Sequence, residues 1–240
     1  SLPATGALVW MLIRNRLEGT YQTQVNCYIA LTEFAAGRLI AGGIPKDRIC
    51  IKPNFAPDIA EPGPGNGGYA VFVGRLSAEK GLRTLIAAWE FLREIPLKIV
   101  GDGPLRGELT EYVLRKRLPI QFLGLCARPA VLHAVRHALV QVIPSECYEG
   151  FPMVVPEAYA CGTPVVCSRI GSLEEIVREG ETGAGFEAGN AVDLARTVQH
   201  LVDDPAGLLR MREHARSEFL ARYTSARNFH LLMEIYDRNC

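Results

Sequence analysis

The chain of 240 residues lacks the features typical of nucleic-acid-binding, membrane-spanning and disulfide-rich proteins. Its 26 Lys and Arg residues balance its 26 Asp and Glu residues, so the overall charge attracts neither nucleic acid nor an anionic membrane. No apolar run is long enough to span a bilayer. The seven cysteines are odd in number and form no Cys-x-x-Cys pair, which argues against a zinc ribbon, a thioredoxin motif and a secreted disulfide framework. We therefore expect a reduced, cytoplasmic, globular protein.

Common catalytic and metal-binding motifs are also absent. The sequence has no P-loop, Gly-x-Ser-x-Gly elbow, His-Glu-x-x-His pair or EF-hand loop. The five histidines fall in helical stretches, and even His133 and His137, which share a helix face, have no third ligand near them in sequence. We therefore predict no metal site. The first apolar stretch, Ala7 to Ile13, has no basic segment before it, so we expect no signal peptide.

Short apolar runs between turn residues predict an α/β fold. Each run has the length of a buried strand, and consecutive runs are separated by the length of one strand and a crossover helix. The runs begin at Tyr69, Leu97, Ile120, Leu139 and Pro164. The interval after the first run carries one apolar helical face, made of Leu82, Leu85, Ile86, Trp89 and Leu92. We therefore predict a Rossmann-like parallel sheet with helices on both faces.

Composition divides the chain into four segments. Residues 1–55 contain a single βαβ unit, with strands predicted at 26–31 and 48–52. Two strands alone would leave the flanks of their sheet exposed, so we interpret this segment as the end of a second Rossmann-like domain whose beginning is absent. The remaining segments are predicted to be a Pro- and Gly-rich linker at 56–68, the main Rossmann-like domain at 69–222 and a C-terminal helix at 223–240.

Two cations follow the first predicted strand of the main domain. After Val73 come a turn at Gly74 and then Arg75 and Lys80, directly before a helix start. In open α/β sheets ligands bind outside the carboxyl ends of the strands, where cations beside a helix N-terminus suit a diphosphate. On spacing alone, two solvated basic side chains remain an open alternative.

Two glutamates accompany a predicted helix start after the fourth apolar run. With Pro152 in the first helical turn, the amides of Met153 and Val154 would point outward and attract an anion. Glu157 would lie one turn further on, where its carboxylate suits two adjacent ribose hydroxyls, and Glu149 would reach the other side of the same ligand. The alternative is that Glu149 only favours the helix dipole and that Glu157 is solvated.

A glycine-rich turn follows the second apolar run. Gly101, Gly103 and Gly107 spell Gly-x-Gly-x-x-x-Gly, one residue away from the dinucleotide fingerprint, and Gln121 stands where an acidic ribose ligand would be expected. We therefore interpret this segment as a tight strand-to-helix turn, with Pro104 at the first helical position, and not as an NAD site.

Taken in order, four segments match a family pattern: YAVFVGRLSAEKGLRTLIAAWEFL, LKIVGDGPL, IQFLGL and PSECYEGFPMVVPEAYACGTPVVCSRIGSLEEIVREGETGAGFEAGN. They resemble the nucleotide-sugar half of a retaining glycosyltransferase of family 4. The most specific element is the pair Glu149 and Glu157 in its Glu-Gly-Phe context. The upstream IALTEFAAGRLIAGGIPKDRICIKPNF is similar to the last βαβ unit of the family's acceptor domain. The resemblance implies the two-domain GT-B architecture, with most of the first domain missing.

The resemblance also implies a donor diphosphate that is held without a metal. Arg75 and Lys80, after the turn at Gly74, would grip the diphosphate as leaving group in the place of a divalent cation. Main-chain amides of the segment that begins with Gly150 and Phe151 would add to this binding. No cofactor is implied besides the nucleotide sugar, which is the donor substrate.

The sugar and the nucleoside are placed by the same resemblance. Glu149 would contact the donor sugar near the reacting centre and Glu157 the ribose hydroxyls, while Leu125 would lie near the nucleobase. Gly101 and Asp102 would line the donor cleft. The implied reaction transfers a sugar, with retention, from a nucleoside diphosphate sugar to an acceptor. The implied catalytic residues are Glu149, Arg75 and Lys80.

Two positions depart from the family pattern. Gly171-Ser172 stands where family members often carry Gly-Gly, and Pro152 stands where many carry Gly. The proline removes one amide donor, and we expect it to shift the sugar pocket.

Two other functions stay open on the sequence. The incomplete first domain favours a non-catalytic nucleotide-binding module or partner subunit, and an epimerase of similar fold is a weaker alternative.

The segments 51–55 and 148–152 resemble bacterial enzymes that build surface polysaccharide on lipid-linked acceptors at the cytoplasmic membrane. We therefore expect a glycan or lipid-linked acceptor, no nucleic-acid partner, and peripheral contact with the inner membrane face through the missing domain. The stretch 8–17 is expected to pack on that domain.

Overall fold

The computed structural model describes residues 2–58 and 61–239, which form an α/β structure with two separate parallel sheets. We call residues 2–58 the first unit. Its elements are α1 (Leu2–Leu17), α2 (Thr20–Thr23), β1 (Tyr28–Ala30), α3 (Glu33–Ala41) and β2 (Ile49–Ile51). Strands β1 and β2 are parallel neighbours, so the predicted βαβ unit is present with shorter strands than predicted.

The second sheet contains six parallel strands with helices on both faces, as predicted. Its elements are β3 (Ala70–Val73), α4 (Leu82–Ala88), β4 (Leu97–Val100), α5 (Arg106–Lys116), β5 (Ile120–Gly124), α6 (Arg128–His137), β6 (Gln141–Ile143), α7 (Val154–Ala160), β7 (Val165–Ser168), α8 (Ser172–Ile176), β8 (Gly183–Phe186), α9 (Ala191–Val202), α10 (Pro205–Arg222) and α11 (Ser225–Asn239). The strand order is β5-β4-β3-β6-β7-β8.

This strand order places the point where the chain reverses its direction of winding between β3 and β6. From β3 the chain winds outward through β4 and β5, and it then returns to the centre and winds the other way from β6 to β8. The loops that follow β3 and β6 therefore diverge to opposite faces of the sheet and leave a crevice at the carboxyl edge. Both loops carry residues that the sequence singled out.

Strand β8 and the end of helix α4 differ from the sequence prediction. Strand β8 was not predicted, because its sequence Gly-Ala-Gly-Phe has only one large apolar side chain and two residues that disfavour strands. Helix α4 was predicted to carry an apolar face as far as Leu92, but it ends at Ala88. Trp89 and Leu92 are still buried, and the Trp89 indole donates to the carbonyl of Ile95 at 2.7 Å, which anchors the turn towards β4.

Apolar side chains fill both faces of the six-stranded sheet. On one face, Leu82, Leu85 and Trp89 from the α4 region pack with side chains of α9 over the alternate residues of β3 and β4. On the other face, α7 and α10 cover β6 and β7, with Tyr159 and Phe219 fully buried. The central strands are apolar on both faces, as expected for a parallel sheet covered by helices.

The segment predicted as a linker lies along the main sheet domain in its described part. The amides of Gly63 and Gly67 donate to the carbonyls of Cys161 and His137, both at 2.8 Å. Arg212 of α10 is nearly buried, and its guanidinium donates to the carbonyls of Ala138, Gly63 and Arg136 at 2.8 to 3.0 Å. Burial without a carboxylate partner lowers the pKa of Arg212 to about 10.

Helix α11 returns to the first unit. The Asn228 amide donates to the carbonyl of Pro53 at 2.6 Å, and its oxygen accepts from Lys52.

Helix α1 presents apolar side chains to solvent, among them Trp10, which is 63% exposed. Within residues 2–58 and 61–239, no helix combines the length and apolar character needed to cross a membrane.

We predict that Arg212→Ala lowers the free energy of unfolding by about 3 kcal/mol, because one buried and two part-buried hydrogen bonds to main-chain carbonyls are lost. Chemical denaturation followed by circular dichroism measures the change. Arg210→Ala is the matched control: Arg210 lies on the same helix with a largely exposed side chain and a long ion pair to Asp204, and its loss should cost less than about 0.5 kcal/mol. Equal stability of the two variants would contradict the prediction.

Candidate active site

The loop after β3 is held by the turn that follows β4. Leu76 donates its amide to the carbonyl of Asp102 at 2.9 Å and accepts from the amide of Leu105 at 3.0 Å. The Asp102 carboxylate accepts from the Gly103 amide at 2.7 Å and pairs with Arg106 at 3.0 Å. The Gly103 bond holds the pKa of Asp102 below its usual range. In this structure Asp102 therefore supports the turn beside the Arg75 loop.

The start of α5 corrects one prediction. The helix begins at Arg106, so Pro104 lies in the preceding turn and not at the first helical position. The connection is nonetheless tight, because only residues 101–105 separate β4 from α5 and the amide of Arg106 donates to the carbonyl of Gly103 at 3.1 Å. At its start, the amide of Gly101 donates to the carbonyl of Gly124 in the neighbouring strand at 2.8 Å. This bond keeps the glycine turn at the carboxyl edge of the sheet.

Lys80 and Glu149 meet across the crevice. The Lys80 ammonium lies 2.5 Å from the Glu149 carboxylate, and the Ser145 hydroxyl donates to the same oxygen at 2.7 Å. The Glu149 side chain is only 15% exposed. The loops after β3 and β6 therefore share an ion pair although 69 residues separate the two side chains.

Close backbone approach makes this contact possible. Gly81, directly after Lys80, has φ of 68°, and a Cβ atom there would lie 1.7 Å from the carbonyl oxygen of Pro144. Only glycine fits this position. A further main-chain bond, from the amide of Glu146 to the carbonyl of Glu79 at 2.9 Å, holds the two loops together.

Arg75 differs from Lys80 in its surroundings. Its side chain is exposed at the carboxyl end of β3, beside Gly74, and within the described part of the chain it forms no hydrogen bond or ion pair. The crevice thus holds one cation in a close pair with a carboxylate and one, Arg75, that acts on the nearby Glu79 only through its charge and keeps its donors available to an anion.

Helix α7 begins two residues later than predicted. It starts at Val154, and Pro152 lies before it, where its carbonyl accepts from the amide of Val155 at 3.0 Å. Pro156 is therefore the third helical residue, where the missing amide costs no intrahelical bond. The amides of Met153 and Val154 have no main-chain acceptor within the described ranges, so the predicted pair of outward-facing donors remains compatible with the structure.

The remaining predicted residues of this loop differ in exposure. Gly150 is exposed, whereas Phe151 is buried and packs its ring 6.0 Å from that of Tyr223. Phe151 thus anchors the loop in the core, while its neighbour Gly150 lies at the surface of the crevice. Below α7, the buried Gln141 donates to the carbonyl of Val154 at 3.3 Å and supports the start of the helix.

Glu157 lies one turn into α7, as predicted, and pairs with a residue that the sequence did not single out. Arg128, at the start of α6, lies 3.2 Å from the Glu157 carboxylate. Burial raises the pKa of Glu157, and the charge of Arg128 opposes this shift. Leu125, in the loop between β5 and α6, is 81% exposed. The pairing of Arg128 with Glu157 could not be predicted from their spacing in the sequence, because only the tertiary fold brings α6 beside α7.

The structure therefore gathers the predicted residues at the carboxyl ends of β3 to β6, in two groups. The first is the Lys80 and Glu149 pair, with Arg75 exposed in the loop after β3. The second is the Glu157 and Arg128 pair, with Leu125 exposed in the loop before α6. Within residues 2–58 and 61–239, no cluster of three or more His, Cys, Asp or Glu side chains is arranged to hold a metal ion.

In doubly wound α/β proteins, ligands bind in the crevice at the reversal point of the sheet, which is where the cations and carboxylates of this chain lie. Residues 58–218 match the family model described as glycosyl transferases group 1. The chain belongs to this family, and its fold is that of the GT-B glycosyltransferases, as the resemblance implied.

Two curated relatives illustrate the similarity. The chain is 35% identical over 159 residues to a glycogen synthase of Mycobacterium tuberculosis strain H37Rv. The aligned region covers 64% of this chain and 38% of the relative. The chain is also 33% identical over 202 residues to a D-inositol 3-phosphate glycosyltransferase of Pseudarthrobacter chlorophenolicus. Here the aligned region covers 74% of this chain and 48% of the relative. The matched part is thus less than half the length of these relatives.

Two solved structures illustrate the similarity in fold. Sucrose-phosphate synthase from Thermosynechococcus elongatus superimposes with a TM-score of 0.77 at 25% identity, over 88% of this chain and 58% of that one. Anabaena HepE in complex with UDP superimposes with a TM-score of 0.79 at 21% identity, over 89% of this chain and 64% of that one.

We predict that Arg128→Gln raises the pKa of Glu157 further, because burial then acts without the opposing positive charge. Carboxyl-carbon NMR titration of the two proteins measures the shift. Arg106→Gln is the matched control: it removes a cation from Asp102 in the neighbouring loop and should leave the titration of Glu157 unchanged. An unchanged or lower pKa in Arg128→Gln would contradict the assigned ion pair.

Proposed function

We propose that this chain binds the nucleoside diphosphate sugar donor of a retaining glycosyltransferase, and that sugar transfer to an acceptor takes place at the carboxyl edge of its six-stranded sheet. The observation that carries the proposal is the arrangement of Arg75, Lys80 and Glu149 at the reversal point of the sheet. Family membership supports a transferase, and the UDP named with the solved HepE structure supports a nucleotide donor.

The cations act on the leaving group. When the bond between the sugar and the diphosphate breaks, negative charge grows on the diphosphate, and fixed positive charges nearby lower the energy of that state. Arg75 offers a planar fork of donors, and Lys80 offers three donors, of which Glu149 occupies one. The amides of Gly150, Phe151, Met153 and Val154 add neutral donors. We propose that these groups serve in the place of a metal ion.

Glu149 acts on the sugar side of the same bond. Positive charge develops at the anomeric carbon during transfer, and a carboxylate close to it stabilises that charge. The Lys80 and Ser145 contacts fix the orientation of Glu149 before any donor arrives. Lys80 can keep this contact while its other donors bind a phosphate oxygen, so donor binding does not require the ion pair to break.

Glu157 binds the ribose, and the loop after β5 receives the base. A carboxylate can accept from both hydroxyls of a ribose, and Glu157 is held in place for this by Arg128. Leu125 is exposed in the adjoining loop, where its apolar side chain suits the face of a nucleobase. Gly101 and Asp102 line the crevice on the side of β4.

We propose a glycan or a lipid-linked saccharide as the acceptor, at the inner face of the cytoplasmic membrane. The relatives named as glycogen synthase and D-inositol 3-phosphate glycosyltransferase act on quite different acceptors according to their names, so the family does not select one. The first unit, whose α1 exposes apolar side chains, is the side from which we propose that the acceptor approaches.

The proposal predicts that Arg75→Ala combined with Lys80→Ala weakens binding of UDP, GDP or ADP at least about 100-fold, because charge-assisted bonds to the diphosphate are lost. Calorimetry with the three nucleotides measures the effect and identifies the preferred base. Binding of the free nucleoside should change little.

The matched control removes two cations from the outer helices. Arg83 and Lys116 form exposed ion pairs with Glu108 and Glu90, so Arg83→Ala combined with Lys116→Ala should keep the nucleotide affinity. If the unaltered chain binds none of the three nucleotides, or if both double variants bind as well as it does, the proposed donor site is wrong.

We further predict that Glu157→Gln weakens binding of the ribonucleotide about tenfold and leaves inorganic diphosphate binding unchanged, because a neutral amide accepts through one oxygen only. Since the Glu157 pKa is raised, wild-type affinity should fall as the pH drops through that pKa, at a higher pH than for an ordinary glutamate. The variant should lack this pH dependence. Equal affinity of the wild type for a 2′,3′-dideoxynucleotide would contradict the ribose role.

A further inference from the structure

The short helix α8 contacts both the Glu149 loop and the first unit. At its start, the buried hydroxyl of Ser172 donates to the main-chain carbonyl of Glu149 at 2.5 Å. Three residues later, the two carboxylate oxygens of Glu175 accept from the amides of Glu33 at 2.9 Å and Phe34 at 2.8 Å. One element therefore touches the proposed catalytic loop with its first residue and α3 with its fourth.

The Glu175 contact completes the N-terminus of α3. The first four amides of a helix have no partner within the helix, and a single local side chain rarely satisfies all of them. Here the Thr32 hydroxyl accepts from Ala35 at 3.0 Å, while the amides of Glu33 and Phe34 depend on Glu175. The negative charge also suits the positive end of the helix dipole. The amides of Glu33 and Phe34 are therefore bonded only while α8 lies against α3.

Aromatic packing reinforces this junction. The rings of Phe34 and Tyr148, the residue before Glu149, lie 5.0 Å apart. Gly171, directly before α8, has φ of 56°, and a Cβ atom there would lie 2.8 Å from the Tyr148 ring and 3.2 Å from the Phe34 ring. Glycine lets the chain pass beside both rings. The adjacent Ser172, one of the two departures from the family pattern, provides a hydroxyl bond that glycine cannot form.

We infer that Glu175 is a positioning residue that couples nucleotide binding at the Glu149 loop to the first unit. The inference rests on the proposed function, because it takes the Glu149 loop as the nucleotide site. Lys80 and Ser145 already hold the Glu149 side chain, and a bound ligand adds contacts that restrain the main chain of this loop further. Ser172, which donates to the Glu149 carbonyl, transmits this restraint to α8 and Glu175. The N-terminus of α3 then becomes fixed against the main sheet domain, so that the acceptor side is aligned when the donor is bound.

Hydrogen exchange of the α3 amides tests the coupling. Peptides that cover residues 33–37 are followed by mass spectrometry with and without the tightest binder among UDP, GDP and ADP. In the unaltered chain the nucleotide should slow exchange of these amides about tenfold. In Glu175→Gln, whose side-chain amide can accept only one of the two bonds, basal exchange should rise and the nucleotide-dependent slowing should disappear.

Two further variants distinguish coupling from local capping. Glu174→Gln removes the same charge from an exposed neighbour that has no side-chain partner within the described ranges, and it should behave like the unaltered chain. Ser172→Ala leaves the Glu175 cap intact, so basal exchange should stay near wild type while the nucleotide-dependent slowing is lost. All variants should bind the nucleotide within about threefold of wild type, because none of the three side chains belongs to the proposed donor site and Ser172 meets the Glu149 loop only at the main-chain carbonyl of Glu149.

The possible outcomes separate the two proposals. If the unaltered chain binds no nucleotide, the proposed function fails, and the coupling with it. If it binds but exchange in α3 does not respond, or responds equally in Glu175→Gln or in Ser172→Ala, the coupling is wrong and the donor site stands.

Discussion

The contact between Lys80 and Glu149 joins the two halves of the sheet at the place where they separate. The loops after β3 and β6 leave the sheet in opposite directions, so the crevice between them depends on the contacts that bridge the two loops. The ion pair, the Ser145 hydroxyl and the close approach of Gly81 to Pro144 set the width of that crevice. The other candidate residues take their places around this junction, because each follows a strand that is adjacent to β3 or β6 or one strand further out.

Within the loops of the crevice and the strands that lead into them, some residues are buried and support the main chain, while others are exposed to solvent. Phe151, Leu76 and Gln141 are buried and fix the main chain, whereas Arg75, Gly150 and Leu125 face solvent at the crevice. The described part of the Pro- and Gly-rich segment strengthens the far side of the domain through Arg212, so its glycines serve close packing as well as chain reversal. A site built in this way can bind a charged ligand without reorganising its backbone.

Much of the fold and the first group of site residues followed from the sequence. Apolar runs at the spacing of crossover units predicted five strands of the main sheet, and the cations and glutamates lay directly after such runs. The prediction missed β8, whose two glycines carry no apolar signal, and it placed the start of α7 two residues early, because a proline near a helix start does not define which turn it occupies. Arg128, Ser172 and Glu175 carried no local pattern that marks a site.

The sequence by itself therefore determined most of the elements and which residues stand at the carboxyl ends of the predicted strands, since both depend on the periodicity of neighbouring side chains. Only the tertiary structure decided which of those residues meet. Lys80 pairs with Glu149, Arg128 with Glu157, and Glu175 with the start of α3, across 29 to 142 residues of chain. The order of strands in the sheet and the packing of helices on it determine these pairs. Spacing along the chain does not predict that order.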